Sequence, residues 1–163
     1  MHATLDRVSP ATPAPATGRT PGATIVAAVE PSTARATAAA ASRIARELDA
    51  PLAFVYVRPR MPAFLGHPNY QRRLTRELNR GRHALDLALA AAADAGVMAH
   101  GEIVEGDAPQ RILQFAAHRR ARLLVIGPRR HTAGRSVSRR VLRAAEIPVV
   151  VHPPATSGSR TSS

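Results

Sequence analysis

The residues best suited to chemistry lie in one stretch, GPRRHTAGRSVS, from Gly127 to Ser138. It combines Gly127, Gly134, Ser136 and Ser138 with Arg129, Arg130 and Arg135. Arg139, Arg140 and Arg143 follow, and no acidic residue occurs between Gly127 and Ala145. Glycines let a backbone turn tightly around a phosphate. Backbone N–H groups at the start of a following helix point at an anion. Serine hydroxyls add donors, and guanidinium groups supply charge in a fork geometry. The same residues also fit a plainer role, in which the glycines turn the chain and the arginines form a solvated helix face. Glu30 is a second candidate. It is a carboxylate at the end of an apolar run, placed either to accept from a ribose hydroxyl or to sit in a solvated loop. Asp107, just ahead of Ala108-Pro109, reads as a helix cap rather than a ligand.

Other chemistries are excluded by what is missing. The 163-residue chain has no Cys, so it has no disulfide framework, thiol nucleophile, Cys-ligated zinc or iron–sulfur cluster. All 23 basic residues are Arg, which leaves no phosphate-loop lysine and no Schiff base. The seven His have no metal-ligand spacing, so no metal is expected. No Ser/His/Asp set or paired carboxylates are evident, so no catalytic residues are assigned and the expectation is a protein that is not an enzyme.

Five apolar runs must position the candidate residues. Residues 24–29 (TIVAAV), 52–57 (LAFVYV), 99–104, 122–126 (RLLVI) and 147–151 read as strands. The first lacks alternation, as in a strand buried on both faces of a parallel sheet. The third is more polar and belongs at or near an edge. Helical spacing fills the intervals at 33–48, 69–95, 109–118 and 136–145. Their inward residues are expected to include Ile44, Leu48, Leu74, Leu78, Gly81, Leu85, Ile112, Leu113, Ala116, Val137, Val141 and Leu142. Gly96 is placed to end the long second helix. The alternating β-α order predicts an α/β fold, an open five-stranded parallel sheet with helices on both faces. In such sheets ligands bind beyond the carboxyl ends of the strands, where strand order reverses.

Hydrophobic residues make up 45% of the chain and aromatics only 3%, so the core must be built from aliphatic and alanine side chains. Residues 1–22 and 154–163 are rich in Pro, Ala, Thr and Ser. They read as disordered tails around one domain, residues 23–153. The N-terminal segment has no apolar stretch of signal-peptide type, and no run of 18 apolar residues exists to cross a membrane. The expected location is cytoplasmic. A formal net charge of +12 attracts anions. Without a recognition motif or an aromatic stacking platform, nucleic acid is not the expected partner.

The pieces IVAAVEPS, EGDAPQRIL, RLLVIGPRR and GRSVSRRVLRAAEIPVVV together resemble the universal stress protein family, over about residues 24–153. The resemblance implies a sheet of order 3-2-1-4-5 and a homodimer formed through residues 147–151, with Ile147 and Val151 at its ends. One branch of the family binds ATP through a pattern of Gly, two residues, Gly, nine residues, Gly, then Ser or Thr. Gly127 matches the first glycine, while Arg130 stands at the second. Ser136 and Val137 match the residues after the last glycine, which puts Arg135 on that glycine and Gly134 one place early. Only four residues separate Arg130 from Arg135, so the loop is about five residues short. Glu30 replaces the family's usual Asp at the ribose or adenine. Arg129 matches a common basic residue, and Val57 and Ile126 match apolar residues flanking adenine. The resemblance thus implies a stress-response or regulatory protein binding ATP, ADP or AMP, with or without Mg2+. A small phosphate-bearing ligand suits the short loop better than ATP. The alternative is a non-nucleotide-binding, dimeric interaction protein of the same family.

Overall fold

A computed structural model describes residues 24–62, 64, 66–128 and 136–152. Both tails lie outside the described residues. The elements are β1 (Thr24–Ala28), α1 (Ala34–Glu47), β2 (Leu52–Arg58), α2 (His67–Asp94), β3 (Ala99–Glu105), α3 (Ala108–His118), β4 (Ala121–Ile126), α4 (Val137–Ala144) and β5 (Val149–Val151). All strand pairs are parallel, and the sheet order is β3-β2-β1-β4-β5.

Successive side chains of a strand point to opposite faces, and here both faces are apolar. Ile25, Ala27, Leu52, Phe54, Tyr56 and Val125 pack on the side of α1 and α2. Val26, Ala53, Val55, Leu124 and Ile126 pack on the side of α3 and α4. The more polar β3 lies at an edge, as its sequence suggests. The last strand is shorter than the sequence suggests, because Ile147 packs into the α3/α4 core and Pro148 only offers its carbonyl to Leu124 N–H at 3.0 Å.

The helices follow the expected pattern with two corrections. Leu48 is 40% exposed rather than inward, because it is the C-cap of α1; the buried face is instead Ala34, Thr37, Ala38, Ala41 and Ala45. Leu142 is 49% exposed, since in the eight-residue α4 only the Val137–Val141 edge meets the core. The end of α2 behaves as expected. Gly96 takes φ 72, its N–H donates to Ala93 O, and Val97 N–H donates to Ala92 O, the paired bonds of a Schellman closure.

Midway along α2, Gly81 lets the helix approach the sheet. A Cβ there would lie 2.7 Å from Tyr56 Cδ1 and 2.9 Å from Ile103 Cδ1. Overpacking of this kind costs about 1–3 kcal/mol, while the gain in helix propensity returns only about 1 kcal/mol. Gly81→Ala should therefore lower unfolding free energy by about 1 kcal/mol in urea titration; a variant more stable than the wild type would refute the tight approach.

His100, on edge strand β3, gives a pH dependence. Desolvation by its neighbours and then the Arg119 charge hold its pKa below the ordinary 6.5, partly offset by Glu102. The unfolded chain therefore takes up this proton first, so folding stability is lost as pH falls from about 6.5 through the folded value. Across that interval the melting temperature of His100→Gln should fall less than that of the wild type; parallel curves would show that His100 contributes nothing.

Candidate functional site

At the carboxyl end of the sheet the crossovers diverge. The chain leaves β1 and β2 through α1 and α2 on one face, and β3 and β4 through α3 and α4 on the other. The crevice this creates lies between β1 and β4, the usual ligand position in open α/β sheets. It contains a cleft. Its floor is Ala28 and Val29 at the end of β1, with Val55 and Val57 of β2 and Ile126 of β4. One side is Ala108 and Ile112 of α3, and the other is Val137 and Ser138 of α4; Glu30, Thr33, Gly127 and Pro128 complete the rim. The cleft opens to solvent, and the space in it bounded by described residues is about 50 Å3.

Six of the residues singled out in the sequence meet at this cleft: Glu30, Val57, Ile126, Gly127, Val137 and Ser138. Arg129 and Gly134 lie outside the described residues. Ser136 is near but not in the wall. It is the N-cap of α4, and its Oγ accepts from Arg139 N–H at 3.3 Å, which orients the helix that carries Val137 and Ser138. Val55, Thr33, Ala108 and Ile112 are wall residues that sequence reasoning did not single out. Periodicity marks Ile112 and Val55 as buried, but only the tertiary arrangement shows that they border a cleft.

Asp107 stands where the sequence puts it but bonds elsewhere. It occupies the N-cap position of α3, yet its side chain makes no capping bond. An N-cap side chain accepts from the second or third helical N–H, and the second position here is Pro109, which has none. The carboxylate instead accepts both guanidinium nitrogens of Arg140, at 3.1 and 3.0 Å. This fork ties the start of α3 to α4 beside the cleft. At the neighbouring strand ends Arg58 pairs with Glu105, and Gly106 N–H donates to Arg58 O at 3.0 Å.

Gly127 has a steric reason to be glycine that is separate from any ligand. A Cβ would lie 2.7 Å from Thr37 Oγ1 and 3.0 Å from Thr33 Oγ1, both on the α1 side. Thr37 is fully buried, and its hydroxyl has no hydrogen-bond partner among the described residues. Also among the described residues, no group of three or more His, Asp or Glu could hold a metal ion, and no helix is long and apolar enough to cross a membrane.

The model of the Universal stress protein family matches residues 23–153. A search of curated proteins finds no match. Among solved structures, a universal stress protein family member from Burkholderia pseudomallei is 27% identical, with TM-score 0.66 over 84% of this chain and all of that one. The Archaeoglobus fulgidus universal stress protein in complex with dAMP is 22% identical, with TM-score 0.64 over 81% of this chain and 98% of that one. An Arabidopsis thaliana family protein with AMP bound is 20% identical, with TM-score 0.58 over 80% of this chain and 91% of that one.

The contact at Gly127 can be tested without a ligand. Gly127→Ala should destabilise the protein by about 1–3 kcal/mol. In a Thr37→Ala background the same change should cost less, giving a coupling energy of at least about 0.5 kcal/mol in a double-mutant cycle. Strict additivity would show that α1 does not limit this position.

Proposed function

The chain belongs to the universal stress protein family, and on that basis we propose that it binds a small adenine nucleotide, AMP in preference to ATP, as a stress-response or regulatory protein. The observation that carries this reading is the cleft itself. Val55, Val57, Ile112, Ile126 and Val137 make an apolar slot, and Glu30 and Ser138 are polar groups on its rim. An aromatic base suits the slot, a ribose hydroxyl suits Glu30, and a phosphate suits Ser138 and the start of α4. The cleft is open to solvent and only about 50 Å3 of it is bounded by described residues, so the base would enter the slot with sugar and phosphate toward its mouth. Arg129, Gly134 and Ser136 belong to the segment that would meet the phosphate. That segment is about five residues shorter than the family's ATP pattern, which favours a monophosphate over Mg2+-ATP. Nucleotide complexes among the similar structures, with dAMP, with cAMP and with AMP, support the same preference. Family members are typically non-catalytic, and the proposed role is binding rather than turnover.

The narrowness of the slot favours one alternative, a dimeric interaction protein of the same family that takes no nucleotide. Both readings include a homodimer through β5 and the preceding Ile147. Val150 and Val151 are 37% and 38% exposed on that edge strand, apolar surface that a second subunit would cover.

Native mass spectrometry addresses both points together. The wild type should appear at about twice 17.3 kDa and take up AMP saturably. Ser138→Ala should weaken AMP by about tenfold, the loss of one hydrogen bond to a charged group, and Val57→Phe should block the slot. A dimer without AMP uptake would select the interaction-protein reading, and a monomer would remove the β5 interface.

A further inference from the structure

Helix α2 is longer than the part of it that packs. Its buried residues are Gly81, Ala84, Leu85, Ala88 and Ala92, and nothing in 67–80 is fully buried. That first half amounts to roughly 20 Å of helix. Along one side of it Arg72, Arg76 and Arg80 follow at four-residue spacing, about 6 Å apart on the axis. Asn79 and His83 stand beside them, and Pro31, next to Glu30, forms the facing wall of a groove of about 530 Å3.

The row is poorly neutralised. Glu77 is the only acidic residue between His67 and His83. Its carboxylate lies 3.9 Å from Arg80 and accepts the Tyr56 hydroxyl at 3.4 Å. The groove lining itself contains no acidic side chain. Arg72 and Arg76 have no ion pair among the described residues.

We propose that this groove is a second anion site that takes a linear polyphosphate, a chain of at least three phosphates laid along the arginine row. Guanidinium forks match phosphate oxygens two at a time, and a row one helical turn apart rewards an extended anion over a single one. Nucleic acid is the poorer fit, because no Phe, Tyr or Trp lines the groove as a stacking platform and His83 is its single ring. A lipid surface is also poorer, because Pro31 is the only apolar residue of the lining. The site does not depend on the nucleotide reading of the cleft.

The test is calorimetry on the full chain with orthophosphate, pyrophosphate and tripolyphosphate at constant ionic strength. Affinity should rise at each step of chain length. The Arg72→Ala/Arg76→Ala double variant, its helix content checked by circular dichroism, should weaken tripolyphosphate at least about tenfold. Arg76→Lys keeps the charge but loses the fork, and should fall between the two. Wild-type protein that binds tripolyphosphate but not AMP would uphold the groove while removing the nucleotide reading. Equal affinity for orthophosphate and tripolyphosphate, or none lost in the double variant, would overturn the proposal. So would tighter binding of a single-stranded oligothymidylate carrying the same charge, which would assign the groove to nucleic acid.

Discussion

The central strands have no polar face, and the rest of the molecule is arranged around that fact. Ile25 and Ala27 of β1 point one way and Val26 the other, all fully buried. Leaving either face in water would forfeit about 25 cal/mol for each Å2 of apolar surface. Both faces must therefore be roofed by helices. Parallel neighbours require long crossovers that supply those helices. Two crossovers go to each side, and the place where they part is the crevice that holds the cleft.

How closely the roof fits depends on small side chains. The inner face of α1 is almost entirely alanine, so its backbone sits near the sheet, and β4 can end beside it only with Gly127. On the opposite side α3 and α4 are held at the cleft by the Asp107–Arg140 fork and by the Ser136 cap. Shape at the floor of the cleft is thus a packing matter, set by Val55, Val57 and Ile126. Position at its rim is an electrostatic and hydrogen-bonding matter.

The fold was legible because its signals are local. Unbroken apolar runs marked β1, β2 and β4, polarity put β3 at the edge, and Gly96 ended α2. What sequence misjudged depended on partners distant in the chain or on a neighbouring residue's chemistry. Leu48 and Leu142 have helical spacing but fall where a helix ends or shows too narrow a face. Asp107 has the right type for a cap, but Pro109 removes a donor and Arg140, 33 residues on, offers two. Of the candidate site, the segment ends at Gly127 and Val137–Ser138 could be read from composition and resemblance. The walls contributed by Val55, Ala108 and Ile112 could not, since any buried helix or strand carries such residues.

The half-packed α2 also bears on how its helical order arises. Starting a helix is costly and extending one is not. Gly81–Ala92 is anchored by the core, so order can spread from there toward His67. That outer end has little of its own to hold it: Gly66 supplies no side-chain cap and the first turn has no acidic residue. Its amides should open to solvent hydrogen exchange at much lower free energy than those of the anchored half. The arginine row is consequently mounted on the less anchored half of the helix, and whatever neutralises those charges would act on its helical order as well as on the surface.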